Sequence, residues 1–178
     1  MRKGLKFNVR ERSGQYFAEK QQLSAGAGKA EQILLEGWRN NSLHNSWLIS
    51  GIEGIGKATL AYRFAKFLLA ADAGKKEQYT SLEISENNPV FKLVVNNAHP
   101  DLKIIERDYT DTDRRKILKA IKEGEQLSDE EMKGLKKSAF IRVDDVRTIN
   151  EFLTKRSADN NWRIVIIDSI DDMNPASA

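Results

Sequence analysis

Ser46-Trp47-Leu48-Ile49-Ser50-Gly51-Ile52-Glu53-Gly54-Ile55-Gly56-Lys57-Ala58-Thr59-Leu60-Ala61-Tyr62-Arg63-Phe64-Ala65-Lys66-Phe67-Leu68-Leu69-Ala70 is the stretch that decides the fold. Trp47 to Ile49 form a short apolar run that ends at Ser50-Gly51, which reads as a buried parallel strand. Gly51, Gly56 and Lys57 stand at the fixed positions of the phosphate-loop pattern G-x-x-x-x-G-K-[ST], with Gly54 and Ile55 between them. Glycines let a backbone wrap an anion with its N–H groups, and the lysine adds a point charge. From Lys57 onward, Leu60, Ala61, Phe64, Ala65, Phe67 and Leu68 recur at helical spacing. That helix aims its positive end at the loop. The eighth position departs from the pattern: Ala58 stands where a hydroxyl would hold magnesium, and Thr59 comes one residue late. A helical residue points about 100° away from its neighbour, so Thr59 replaces that hydroxyl poorly. The competing reading is a glycine turn with no ligand.

A second stretch answers the first. Trp162-Arg163-Ile164-Val165-Ile166-Ile167-Asp168 is a β-prone apolar run that ends in an acid, the Walker B pattern. In a parallel sheet such an aspartate reaches the crevice beside the phosphate loop, where it holds the magnesium shell. The candidate nucleotide-binding set is therefore Gly51, Gly54, Ile55, Gly56, Lys57, Ala58, Thr59 and Asp168. Hydrolytic members of the class place Glu directly after the aspartate, and here Ser169 follows. With Ala58, that makes two defects in the groups that position water and offset transition-state charge. No catalytic residue and no metal ligand set is assigned, and a nucleotide, with magnesium, would be held weakly.

The remaining chain supplies context. Its 178 residues are 40% hydrophobic and 31% charged with a net charge of +3, a globular composition whose mild basicity does not itself argue for nucleic acid. Without cysteine there is no disulfide or thiolate metal site. The first ten residues carry no secretory apolar region, and no apolar run nears the ~20 residues that span a bilayer. Residues 1–25 read as a loosely held arm, tacked down by Phe17 and Leu23, ahead of a domain over 26–178. Helices are expected over Ala27–Trp38 and Val90–Val95, and a strand over Leu102–Glu106. His99-Pro100-Asp101 reads as a turn rather than a metal or acid–base site. Residues 107–140 read as a charged insertion in which Ser128 to Glu131 start a short helix. Its basic runs are either solvated faces or a patch for DNA or a partner. Ile141 to Arg147 open a further helix whose apolar side carries Val146, Ile149, Phe152 and Leu153.

Taken together, Ser46 to Ile49, Gly54 to Ala61, His99 to Asp101, Ile141 to Arg147, Ile166 to Ser169 and Asp171 to Asn174 resemble the delta-prime clamp-loader subunits of bacterial DNA polymerase III, within the AAA+ family. The resemblance spans 27–178, and Lys57-Ala58 is a form seen in that group. It implies a three-layer α/β P-loop NTPase domain of the AAA+, RecA-like kind, cut after the Walker B strand, with lid and C-terminal collar domains absent. It implies a non-hydrolysing cytoplasmic subunit that works with other clamp-loader subunits in a hetero-oligomeric ring, with the sliding clamp and primed DNA, and without membrane. Many relatives carry a four-cysteine zinc module, which a chain without cysteine lacks. The implied sheet order is 5-1-4-3-2. On that order the strands at 102–106 and 162–168 pair in parallel, while strand 46–50 has neither neighbour and is detached or mispaired.

Overall fold

The computed structural model describes residues 3–9, 25–125, 127–157 and 162–173. The proposed contacts of Phe17 and Leu23, the turn at Ala158–Asn161 and the segment 174–178 lie outside them. Among the described residues one sheet of four parallel strands is formed: β1 (Lys3–Val9), β2 (Ser46–Ile49), β3 (Leu102–Ile105) and β4 (Trp162–Asp168), in the order β2-β1-β4-β3. Around it lie α1 (Ala25–Arg39), α2 (Lys57–Ala70), α3 (Pro89–Val95), α4 (Asp111–Glu123), α5 (Asp129–Gly134) and α6 (Val143–Thr154).

β4 shows how the layers arise. Successive side chains of a strand point to opposite faces. Ile164 and Ile166 enter a large core built with Leu34, Leu35 and Trp38 of α1, Phe64, Phe67 and Leu68 of α2, and Val94 of α3. Val165 and Ile167 enter a smaller core with Ile105, Ile141 and Ile149, beneath α6. A strand buried on both faces needs the unbroken apolar run that this one has. In the larger core Trp38, Phe67 and Tyr79 meet edge to face, with centroids 4.8 to 5.5 Å apart. The segment after α2 is tied to α1: Lys76 Nζ donates to the Trp38 carbonyl at 2.8 Å, and the Leu82 N–H donates to Glu31 Oε1 at 2.9 Å.

The structure departs from several expectations. Residues 3–9 are a strand and not part of a loose arm. β1 lies in register between the loop strand and the acid strand, with Phe7 beside both Trp47 and Ile166 and Val9 beside both Ile49 and Asp168. The strand at 46–49 is therefore not detached; of the two expected alternatives it follows the second, pairing with a strand outside the implied order. β1 takes the place that the expected order reserves for a strand between β2 and β4. β3 and β4 do pair in parallel. The charged insertion also holds more structure than a single short helix. α4 is capped by Thr110, carries Asp111 and Asp113 in its first turn, and stops at Gly124 with φ 72°. α5 has the capping box of Ser128 and Glu131. α6 begins at Val143, and Ile141 instead makes a parallel bridge with Met173.

Candidate functional site

The C-terminal ends of β2 and β4 define the site. Because Ile49, Val9 and Asp168 share one register row, the aspartate stands two strands from the last residue before the loop. At ~4.8 Å per strand that separation is about 10 Å. The loop from Gly51 to Gly56 carries the chain from β2 into α2. Gly54 and Gly56 have φ of 80° and 91°, and an added Cβ would meet no atom within 4 Å at Gly54 and only Thr59 Cβ at 4.0 Å at Gly56. The demand for glycine is thus conformational, since a left-handed backbone penalises any Cβ. Gly56 is the N-cap of α2 and offers no side-chain cap.

Lys57 is the first residue of α2 and is 3% exposed. Its Nζ donates to the carbonyls of Gly51 at 2.9 Å and Ile52 at 2.7 Å. The ammonium therefore sits inside the loop and braces it, balanced by carbonyl dipoles. Ala58 is wholly buried in the larger core, whereas Thr59 is half-buried and Ile55 likewise. Gly51 and Gly54 are exposed. Position 58 thus contributes a methyl group to packing and no oxygen to the crevice.

Asp168 is 1% exposed at the end of β4. Ser169 Oγ donates to its Oδ1 at 3.4 Å, and Ser169 itself is left-handed with φ 60° and ψ 63°. This tight corner starts a 3-10 turn over Ile170–Asp172, which carries Asp171 onward from the strand end. Tyr62 belongs to the same neighbourhood and escapes sequence reasoning. It is 7% exposed on α2. Its phenol pKa is pushed far up, first by burial and then by the charges of Asp168 and Glu106. The phenol stays protonated in the field of two carboxylates. Helical spacing alone offers no signal for this, because Tyr62 reads as one more core aromatic.

His99, Pro100 and Asp101 lie at the other end of the sheet, before β3. The Asp101 N–H donates to His99 Nδ1 at 3.1 Å, and the Ile164 N–H donates to the Asp101 carbonyl at 2.9 Å. Arg163 Nη2 donates to the Pro100 carbonyl at 3.2 Å and Nη1 to the Arg156 carbonyl at 2.9 Å, while Nε lies 3.5 Å from Asp101 Oδ1. The guanidinium stacks over Phe152, 4.2 Å from the ring centre. The triplet is a turn that fixes the start of β3 against β4 and α6, far from the glycine loop.

A parallel sheet flanked by helices, with a glycine loop leaving one strand and a buried aspartate ending its near neighbour, makes an α/β domain of the AAA+ type. The sequence model of the family described as DNA polymerase III, delta subunit matches residues 26–178, and the chain belongs to that family. It is accordingly a DNA polymerase III subunit of the clamp-loader type, a protein of DNA replication. No curated protein and no solved structure matches it. Among the described residues no helix is long and apolar enough to cross a membrane.

Proposed function

We propose that the chain acts as a delta-prime-like clamp-loader subunit that does not hydrolyse ATP. It would serve as a cytoplasmic scaffold that, with the other subunits of the ring, helps place the sliding clamp on primed DNA. The observation that carries this reading is Ala58, a fully buried methyl group at the position where hydrolytic sites present a hydroxyl to magnesium. Ser169 after Asp168 supports it, because a hydroxyl in a left-handed corner is no substitute for the carboxylate that orients an attacking water.

The phosphate half of a nucleotide fits the residues present. Gly54 and Gly56 supply the left-handed turns, Lys57 the charge, and α2 the positive helix end, with Gly51, Ile55 and Thr59 completing the loop. Magnesium, when bound to a nucleotide, would neutralise phosphate charge. Asp168 is the acid that could face it, and position 58 offers it nothing. A nucleotide would thus be held weakly and stay intact.

Turnover of ATP by the purified chain with magnesium tests the reading. The expected result is no release of phosphate above the uncatalysed background. A rate near ~1 per second, ordinary for enzymes, and abolished by Lys57→Ala, would establish an active AAA+ ATPase instead.

A further inference from the structure

The two ends of segment 107–140 are stapled to each other at its base, and Arg142 at the start of α6 ties them to the domain. The Thr110 N–H donates to the Lys136 carbonyl at 2.8 Å, and the Ser138 N–H donates to the Asp108 carbonyl at 2.7 Å. The Lys136 N–H donates to Asp113 Oδ2 at 3.0 Å, and Arg142 pairs with Asp111 at 2.7 Å. α4 is therefore a positioned helix. Its inward face is marked by Asp113 and Ala120, both buried.

Its outward face has two adjacent rows at helical spacing. One is Arg114, Leu118 and Ile121, in which Leu118 is 55% and Ile121 68% exposed. The other is Arg115, Lys119 and Lys122, all cationic and exposed. Arg114 pairs with Asp108 and Lys119 with Glu123. Among the described residues Arg115 and Lys122 have no ion pair. Scattered exposed apolar residues are normal on a protein surface. Two neighbouring aliphatic side chains lying along a row of cations form a more specific pattern, with apolar contact and charge side by side on one rigid helix.

We propose that this face docks an acidic amphipathic helix of a partner protein, one with an aliphatic row beside a row of Asp or Glu. Charge complementarity and the aliphatic pair together select that occupant. Nucleic acid is disfavoured because contacts to phosphates use cationic and polar groups and give Leu118 and Ile121 nothing to cover. A membrane surface is disfavoured because only two large aliphatic side chains, Leu118 and Ile121, are exposed on α4, little apolar surface to bury among acyl chains. The proposal goes beyond the clamp-loader reading and does not depend on it.

The test uses the full 178-residue chain and a fluorescent synthetic helical peptide with one leucine row and one glutamate row. A companion peptide carries lysine in place of glutamate. Leu118→Ala with Ile121→Ala, and Arg115→Ala with Lys122→Ala, remove each row in turn, and alanine keeps the helix intact. The glutamate peptide should bind saturably, each double variant should weaken it about tenfold or more, and the lysine peptide should not bind. Far-ultraviolet circular dichroism should show unchanged helix in both variants. Failure of the glutamate peptide to bind overturns the proposal. So does binding that ignores the loss of Leu118 and Ile121. Tighter binding of a DNA duplex or an anionic vesicle than of the glutamate peptide, with a steep salt dependence, would assign the face to those partners instead.

Discussion

Lys57 and Ala58 are adjacent and have opposite roles. Lys57 turns its charge into the loop, whereas Ala58 turns a methyl group into the core. Lys57→Ala should remove the loop's brace and its charge together, so an ATP analogue titrated calorimetrically should bind the wild type more tightly than the variant. Equal binding would mean that the loop is only a turn. Ala58→Thr adds a hydroxyl and a methyl group to a position with no exposed surface. Overpacking and a buried hydroxyl should cost about 1–3 kcal/mol of stability, read from urea unfolding, before any gain in magnesium affinity is felt. A variant as stable as wild type would show that the side chain finds room toward the crevice. The glycines, the lysine and the terminal aspartate are legible in sequence because their chemistry lies in spacing. The burial of Ala58 and of the Tyr62 phenol within the field of Asp168 depends on how α2 rolls against the sheet, which spacing does not fix. Arg163 was equally silent inside an apolar strand. It is buried against Asp101 and spans two carbonyls. Arg163→Met removes a buried cation and both of its carbonyl contacts and should cost about 3–5 kcal/mol. A loss under about 1 kcal/mol would show that the pair is incidental.

At the level of elements, what was legible divides by periodicity. α1, α2, α3 and α6 follow apolar rows that can be read along the chain, and β4 follows an unbroken apolar run. β1 was missed because Lys-Gly-Leu-Lys-Phe-Asn-Val alternates, the pattern of a half-covered strand, in a stretch otherwise polar. The structure gives a reason for the alternation. On the register row of Ile167 and Asn8, Leu48 of β2 is 67% exposed, whereas Ile167 is buried under α6. On that side β4 is covered and β2 is not. α4 was hidden for a different reason: its outward face mixes cations with Leu118 and Ile121, so no buried apolar row marks it and its caps are the clearer signal. The Asp113 carboxyl is held below its ordinary range, first by the Lys136 N–H and then by the Thr110 hydroxyl. Because the folded pKa lies below the unfolded one, the contribution is complete above the unfolded value of about 3.9 and is lost as pH falls through the folded value. Acidification through that window should release the base of the insertion, seen as faster amide exchange at Lys136. Asp113→Asn should exchange at the faster rate already at neutral pH. Exchange at Lys136 that ignores both would contradict the clamp.

At the scale of the whole molecule, the site exists only because β1 joins its two halves. The glycine loop leaves β2 and Asp168 ends β4, and these strands meet through β1 rather than directly. An unpaired buried backbone group costs roughly 1–3 kcal/mol, against a domain stability of about 5–15 kcal/mol. Without a strand in that slot the loop strand would have no reason to stay. The resemblance places a strand that follows Asp168 in that slot and so leaves it empty in this chain, whereas the structure fills it from the amino-terminal side with β1. Hydrogen exchange at Trp47, Leu48 and Ile49 tests this most directly, in the full chain and in a variant lacking residues 1–9. β2 pairs with a single neighbour among the described strands, so alternate amides along it should be slow to exchange in the full chain. Those same amides should become fast in the shortened one while β4 stays protected against β3. Fast exchange throughout β2 in the full chain, or protection that survives the loss of residues 1–9, would contradict the account.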